Sequence, residues 1–480
     1  MAEQSLKDKT VKGTFWGTVE RFSGQGIQFL VLIVMARLLT PKDYGLIGIV
    51  SVFTSVAQSF IDSGFSQALI RKQNRTDIDN STTLYFNVIV GICVYSFFFL
   101  IAPYVSDFYN EPELTLLMRV ISFVVIINSF SVVQIALYTA QVNFKTQSKA
   151  TIIAALSSGV IGVYSAYRGC QAWSLVYQQL SYAFVNTLLL WIFSKWHPQL
   201  TFSWQSFHEL FSFGSKILVS GLLNTIYNNM YQLVIGKVFN TSTLGFYTRA
   251  SHFAQFPSTN ISGILQRVTY PILCELQDDT NKLVDVYRIF IRISTLIIFP
   301  LMMILASVSR PMIMIVLGEK WIYAATLLCI ICFSSMWYPV HHLNVNILQA
   351  IGRSDLTLKT EVMKKSVGVL ILFATIPFGI EAMCYGGILS SIICLIINCY
   401  YVGKLLNVGF FCQMRDVMPV FLISVFIFVI ILLMSYIIDN DWIVITVGSL
   451  LGFAVFVFLC ILFKIQAYKD LLSLKGMTKL

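Results

Sequence analysis

The chain has 480 residues, of which 57% are hydrophobic and 12% charged, with a net charge of +10 and a mean hydropathy of +0.76. A soluble monomer of this composition would carry more apolar surface than its core could bury, which excludes an ordinary water-soluble protein. The basic residues are spread over alternate loops instead of forming one basic face, so the composition favours membrane topology over nucleic-acid binding, and we predict no nucleic-acid partner.

Apolar stretches of roughly twenty residues follow one another along almost the whole chain, and each is long enough to cross a bilayer as a helix. We predict about fourteen such spans, at residues 13–36, 45–66, 82–105, 115–139, 149–167, 173–194, 214–238, 245–273, 288–308, 322–350, 357–380, 382–403, 417–438 and 441–463. The predicted fold class is therefore an all-α polytopic membrane protein.

The basic residues also indicate the orientation, because short loops rich in Lys and Arg stay in the cytoplasm. Of the 33 Lys and Arg residues, 21 fall on the side of the N-terminus, 7 on the opposite side and five inside helices. Both chain termini are therefore predicted to be cytoplasmic, which requires an even number of spans and agrees with fourteen.

An internal repeat relates the two halves of the chain at an offset of 200 residues. The segment ARLLTPKDYGLIGIVSVF at 36–53 aligns without a gap with GKVFNTSTLGFYTRASHF at 236–253, which places Gly45 over Gly245. The preceding helices carry matched polar positions at three-to-four-residue spacing, which is one face of a helix. Those positions pair Glu20 with Ser220, Gly24 with Asn224, Gln25 with Thr225 and Gln28 with Asn228.

Six predicted spans separate the two copies, so both copies have the same orientation in the membrane. We expect two pseudo-symmetric six-helix lobes around a central cavity, formed by residues 1–200 and 201–405. Residues 406–480 are predicted to add two further transmembrane helices and a cytoplasmic tail.

Five short motifs carry a resemblance to a known family: RLLTPKDYGLIG at 37–48, DSGFSQALIRK at 62–72, LGFYTRA at 244–250, YPILCELQDD at 270–279 and LGEKW at 317–321. Their order and spacing resemble the multidrug/oligosaccharidyl-lipid/polysaccharide (MOP) exporter superfamily, in its polysaccharide-transporter or Wzx-type O-antigen flippase branch. The resemblance covers residues 10 to about 405.

That resemblance implies a flippase that moves a polyprenyl-diphosphate-linked oligosaccharide by alternating access. The cargo would be a lipopolysaccharide O-antigen or exopolysaccharide repeat unit, and the location the bacterial cytoplasmic (inner) membrane. Implied partners are the lipid-linked substrate, membrane lipids, and polysaccharide polymerase and chain-length machinery. A multidrug or cation exporter of the same superfamily is the alternative.

Charged residues inside the predicted spans are the candidate site, since a charge at the bilayer centre costs about 2.5–3.5 kcal/mol on insertion scales and usually faces a wet cavity or a partner. Arginine forks bind phosphate oxygens bidentately, so cations in such a cavity suit a diphosphate. The predicted diphosphate-binding residues are Arg21, Lys216, Arg249, Arg267 and Arg292, and the predicted polar lining is Gln25, Gln28, Asn224, Asn228 and Asn260. The alternative is that these cations neutralise nearby acids or extend to the lipid headgroups.

Two acids inside the predicted spans, Glu20 and Asp62, are candidates for coupling transport to a proton or sodium gradient. A structural role as counter-charge is the alternative for each, and an Asp62–Arg21 pair is one such arrangement. The tenth span also carries five polar residues that could meet sugar hydroxyls, or that could be packed and hydrogen-bonded within the protein: His341, His342, Asn344, Asn346 and Gln349.

We predict that the protein is not an enzyme. The sequence has no phosphate-cradling glycine loop and no Ser-His-Asp set, and its connectors are too short for the large extramembrane loops typical of a membrane-embedded polymerase or ligase, which is the less favoured alternative. Cys329 and Cys332 have the spacing of a metal or redox pair, but no further ligand accompanies them. We therefore expect no metal and no cofactor.

Overall fold

The structure is a computed structural model that describes residues 23–62, 64–72 and 74–477. Over these residues the chain is helical and contains no β-strand. It divides into two compact units, of which the first ends at Gly245 and the second begins at Phe246. The predicted lobes, residues 1–200 and 201–405, were inferred from the sequence repeat, and this division of the chain stays a prediction.

The first unit contains, among the described residues, α1 (Ser23–Leu38), which starts at the first described residue, and nine further helices: α2 (Pro41–Ile61), α3 (Phe65–Arg71), α4 (Asp77–Tyr109), α5 (Glu113–Ile121), α6 (Phe123–Ser129), α7 (Val132–Ala140), α8 (Phe144–Tyr167), α9 (Trp173–Phe193) and α10 (Trp204–Val238). Helix α11 (Thr241–Glu275) starts in the first unit and continues through the second.

The second unit continues with nine helices: α12 (Thr280–Ser307), α13 (Ser309–Val316), α14 (Ile322–Ser335), α15 (Tyr338–Ala350), α16 (Ser354–Thr375), α17 (Ile380–Leu406), α18 (Phe410–Ile437), α19 (Asp441–Leu462) and α20 (Gln466–Met477). Short 3₁₀ turns at Glu319–Trp321 and Ile376–Phe378 lead into α14 and α17.

Over the residues that the structure describes, each predicted span coincides with a helix or with a broken helix, and residues 13–22 of the first span lie outside them. Eight of the described helical segments are long and apolar enough to cross a membrane, and a ninth results if the pair Glu113–Ser129 and Val132–Ala140, bent by 42°, is one span. The other predicted spans are helical but shorter or more polar, namely α1, α9, α10, α11 and α16. The polytopic fold is therefore confirmed, whereas the count of fourteen stays a prediction.

Capping boxes begin two of the apolar helices. At α2 the Thr40 side chain accepts a hydrogen bond from the Asp43 backbone N–H, and the Asp43 carboxylate accepts one from the Thr40 backbone N–H at 2.8 Å. Thr76 and Asp79 repeat the arrangement at α4. These reciprocal bonds satisfy amide groups that a helix N-terminus leaves without intrahelical partners, so they define where each helix begins.

The starts of α2 and α11 pack against each other through two glycines. A Cβ at Gly45 would lie 1.7 Å from the carbonyl oxygen of Thr241, and a Cβ at Gly245 would lie 1.9 Å from the carbonyl oxygen of Pro41. The offset of 200 that relates Gly45 to Gly245 also relates Pro41 to Thr241, so the contact is reciprocal. Only glycine permits this approach of backbone to backbone.

In the second unit, α12 is the central helix. It packs against α14, α15, α18 and the C-terminal helix α20. Its buried residues include Tyr287, Ile291, Phe299 and Met303, all fully inaccessible to solvent. Helix α12 therefore connects the two extra transmembrane helices and α20 to the rest of this unit.

Candidate functional site

The predicted polar stripe of the first unit lies on α1 and α10. Gln28, Asn224 and Asn228 are exposed side chains, and Gln25 is half-buried. Next to the stripe, the Thr225 hydroxyl of α10 lies 2.8 Å from the Ser59 hydroxyl of α2, so polar contacts tie α10 to α2. Three of the four stripe side chains are thus exposed on the surface of their helices, and the role of the stripe as cavity lining stays a prediction.

Asp62 forms the C-cap of α2 and ends a chain of side-chain hydrogen bonds. The Gln58 amide donates to the Asp62 carboxylate at 2.9 Å, and the Asn128 amide donates to the Gln58 carbonyl oxygen at 2.9 Å. The Asp62 side chain itself is exposed. Glu20 and Arg21, and with them the predicted Asp62–Arg21 pair, lie outside the described residues.

Two of the predicted cations are exposed and have no ion-pair partner among the residues that the structure describes. They are Lys216 on α10 in the first unit and Arg267 on α11 in the second. An exposed guanidinium with no carboxylate beside it keeps all of its N–H donors for a ligand. Arg267 therefore fits the predicted phosphate-binding role in its own unit.

The other two predicted residues on α11 are buried. Arg249 is 9% exposed and Asn260 is 8% exposed. The Asn260 amide donates to the carbonyl oxygen of Phe256, one turn earlier in the same helix, at 2.9 Å. Of the predicted cations on α11, Arg267 is thus the exposed one.

Arg292 belongs to a buried network of four charges that joins α12, α18 and α20. Its guanidinium donates to Asp470 at 2.5 Å and to Asp416 at 3.4 Å, and Asp416 also accepts two hydrogen bonds from Arg288, at 2.7 and 2.8 Å. Two arginines and two aspartates leave no net charge. The geometry favours the alternative stated for this residue, in which neighbouring acids neutralise it.

Nothing in the sequence around Arg292 points to these partners, because Asp416 and Asp470 lie 124 and 178 residues away along the chain. In the sequence, Asp416 directly precedes the predicted span 417–438 and Asp470 follows the span 441–463, so both resemble ordinary loop or helix-end residues. Sequence reasoning missed them for that reason, and only the packing of α18 and α20 on α12 brings them to Arg292.

The polar residues of the tenth predicted span point in two directions from α15. His341 hydrogen-bonds to Ser391 at 3.1 Å and to Asn398 at 3.3 Å, and Asn344 exchanges hydrogen bonds with Gln413 at 3.0 and 3.1 Å. His342 and Asn346, which are four residues apart and share one helix face, instead line a cleft against α11. Its lining residues are Ser262, Leu265, Gln266, Pro339, His342, Leu343 and Asn346.

Among the described residues, no three His, Cys, Asp or Glu side chains are arranged to hold a metal ion. Cys332 is buried in α14 and Cys329 is partly buried in the same helix. Both cysteines are free thiols.

A protein-family model described as "Polysaccharide biosynthesis protein" matches residues 34–326, which is more than half of the chain. The chain belongs to this family. The match contains all five sequence motifs, from 37–48 to 317–321.

Two curated relatives align with this chain over most of their own length. The teichuronic acid biosynthesis protein TuaB of Bacillus subtilis is 25% identical over 424 residues, which is 88% of this chain and 88% of that protein. The lipopolysaccharide biosynthesis protein WzxC of Escherichia coli is 26% identical over 82% of this chain and 80% of its own length. The predicted resemblance to Wzx-type polysaccharide transporters is confirmed.

Solved structures show the same fold. The lipid II flippase MurJ, in an inward closed conformation, superposes with a TM-score of 0.75 at 12% identity, over 96% of this chain and all of that one. A multidrug transporter of the MATE family and MOP superfamily superposes with a TM-score of 0.61 at 14% identity, over 79% of this chain and 95% of its own. The chain thus shares its all-α fold with these two transporters.

Proposed function

We propose that this protein is a flippase that moves a polyprenyl-diphosphate-linked oligosaccharide from the cytoplasmic to the outer leaflet by alternating access. The observation that carries the proposal is membership of the polysaccharide biosynthesis family, with relatives named for the biosynthesis of teichuronic acid and lipopolysaccharide over more than 80% of this chain. The fold, which this chain shares with a lipid flippase, suits that task.

The proposal places the protein in the bacterial cytoplasmic (inner) membrane with both termini in the cytoplasm. The asymmetric distribution of Lys and Arg between alternate loops supports this orientation. The lipid-linked oligosaccharide is the substrate, and the polymerase and chain-length machinery that extends such units are the proposed partners. In this proposal the protein is a transporter that leaves the covalent structure of its cargo unchanged.

In each unit, exposed cations would contact the diphosphate during transport. Arg267 supplies a planar fork that matches phosphate oxygens, and Lys216 supplies a compact charge. Arg21, outside the described residues, and Arg249 complete the proposed set, with polar contacts from Gln25, Gln28, Asn224, Asn228 and Asn260. We leave Arg292 out of it, because Asp416 and Asp470 already engage its guanidinium.

The proposal is tested by deleting the gene in its host and complementing with wild type, Arg267→Ala, Arg267→Lys or Arg353→Ala at matched membrane abundance. Arg353 is the control, since it forms an exposed ion pair with Asp355 outside the proposed site. Surface glycan and inner-leaflet lipid-linked oligosaccharide are measured together.

We expect the deletion to lose surface glycan and accumulate the lipid-linked precursor. Wild type and Arg353→Ala should restore the glycan, Arg267→Ala should not, and Arg267→Lys should restore it in part because the charge stays and the fork is lost. Normal glycan in the deletion strain would overturn the flippase and favour drug or cation export. Full rescue by Arg267→Ala would keep the flippase and remove Arg267 from the site.

A further inference from the structure

The cleft between α11 and α15 contains polar atoms that have no hydrogen-bond partner in the described structure. Asn346 is 1% exposed and Ser262 is 4% exposed, and both line the cleft. The Asn346 Nδ2 amide and the Ser262 hydroxyl are buried atoms without a partner among the described residues. Several other buried polar atoms among the described residues also lack a partner, but these two line the same cleft, where a ligand group or a water molecule can satisfy both.

A hydrogen bond from a third side chain, Gln266, shows which end of the Asn346 amide has a partner. The Gln266 amide donates a hydrogen bond to the Asn346 carbonyl oxygen at 3.3 Å. This bond occupies the acceptor end of Asn346 and leaves its Nδ2 group as a donor. The cleft therefore offers a donor from Asn346 and a hydroxyl from Ser262, which can donate or accept.

The remaining walls are neutral and mostly apolar. Leu265, Pro339 and Leu343 line the cleft with hydrocarbon, and the His342 ring packs against the Tyr338 ring at 4.3 Å between centroids. None of the seven lining residues is an Asp, Glu, Lys or Arg. Hydrogen-bonding groups between hydrocarbon walls match a neutral hydroxyl or amide on a carbon ring, and they do not match a phosphate or a metal ion.

The predicted phosphate-binding residue Arg267 follows the cleft residue Gln266 in α11, with its side chain about 100° further around the helix. Gln266 and Arg267 are consecutive in α11, so their positions differ by about 1.5 Å along the helix axis. In a polyprenyl-diphosphate-linked glycan, the first sugar is bonded directly to the diphosphate. A group that recognises the sugar therefore has to lie next to the group that recognises phosphate.

We propose that the cleft formed by Ser262, Gln266, His342 and Asn346 binds a hydroxyl or acetamido group of the first sugar of the substrate, next to the diphosphate at Arg267. This inference rests on the proposed function and deepens it. The enclosed part of the cleft has a volume of about 10 Å³, which suits one water-sized group, such as a sugar hydroxyl or the carbonyl oxygen of an acetamido group, and not a whole sugar ring.

The test measures binding of two probes to the purified full-length protein in lipid nanodiscs. One probe is undecaprenyl diphosphate, and the other is undecaprenyl diphosphate bearing a single N-acetylglucosamine or a single galactose. The measured quantity is the ratio of the dissociation constants with and without sugar. It is compared among wild type, Asn346→Ala, Ser262→Ala, Arg267→Ala and the control Asn281→Ala, which removes an exposed amide at the start of α12 outside the cleft.

We expect wild type and Asn281→Ala to prefer at least one glycosylated probe. Asn346→Ala should reduce that preference up to about tenfold, which is the effect of one lost hydrogen bond to a buried group, and Ser262→Ala should reduce it less. Arg267→Ala should weaken both probes by the same factor. If Asn346→Ala does not fold, as judged by its thermal unfolding, the ratio of dissociation constants is measured on the single variants Ser262→Ala and Asn346→Ser instead.

The two proposals fail in distinguishable ways. If wild type binds neither probe, the proposed function fails and the cleft proposal fails with it. If wild type binds both probes and the cleft variants leave the ratio unchanged, the cleft is not a sugar site, while the flippase proposal stands.

Discussion

Arg292 was a predicted phosphate ligand, and its neighbours in the structure give it a different role, as part of an ion-pair network. Its guanidinium is 12% exposed and donates to carboxylates on two other helices, while Arg288 donates to one of the same carboxylates. Charges withdrawn from solvent in this way are tolerated when they are paired, and the loss of one partner is strongly destabilising because the other charge stays buried.

We predict that Asp416→Asn destabilises the protein by about 3 kcal/mol, since Arg288 and Arg292 then lose a shared carboxylate. Thermal unfolding of the purified protein measures the effect. Asp355→Asn is the matched control, because Asp355 also forms an ion pair with an arginine, but an exposed one. Hydrogen bonds from Arg353 lower the pKa of Asp355 to about 2, so Asp355 is ionised at neutral pH. Equal unfolding temperatures for the two variants would contradict a buried network.

At the scale of helices, the starts of α2 and α11 depend on the absence of a side chain at two positions. The carbonyl oxygens of Thr241 and Pro41 occupy the space that a Cβ of Gly45 or Gly245 would take. Because backbone atoms cannot move aside as a flexible side chain does, a larger residue has to push the two helix starts apart.

We predict that Gly45→Ala and Gly245→Ala each destabilise the protein by about 1–3 kcal/mol, the usual cost of overpacking. The double variant should cost less than the sum, because the first substitution already separates the helix starts. Gly221→Ala in α10 is the control, since nothing lies within 4 Å of its Cβ position and alanine favours a helix. Additive effects in the double variant would show that the two glycines act independently.

At the scale of the whole molecule, coupling of transport to a proton or sodium gradient needs a group whose protonation or bound ion differs between the conformational states of the transporter. Asp62 is the described candidate: it caps α2, is exposed, and accepts a hydrogen bond from Gln58 within a chain that reaches Asn128. Glu20, outside the described residues, is the second candidate.

We predict that Asp62→Asn and Glu20→Gln abolish the acceleration of flipping by an imposed proton or sodium gradient, while leaving slow, gradient-independent flipping in place. The assay follows undecaprenyl-diphosphate-N-acetylglucosamine across proteoliposome membranes with and without the gradient. Asp107→Asn, an exposed acid at the end of α4, is the control. If both variants keep the full response to the gradient, neither acid couples transport.

Much of the architecture was predictable from local sequence alone. The length and apolar character of each stretch indicate a membrane helix whatever its neighbours are, because the bilayer imposes the same requirement on every span. Thr40 with Asp43 marks the start of α2 in the same local way. The order of short motifs was sufficient for the family, which the match over residues 34–326 confirms.

The side-chain partners, in contrast, were decided by the tertiary structure. Whether Arg292 is neutralised depends on Asp416 and Asp470, which only helix packing brings near α12. The division of α15 into a packed face with Asn344 and a cleft face with Asn346 likewise depends on α11 and α18. Sequence by itself determined the helices and the family, because those follow from local composition; the tertiary structure decided which polar groups remain free, because that depends on contacts between distant residues.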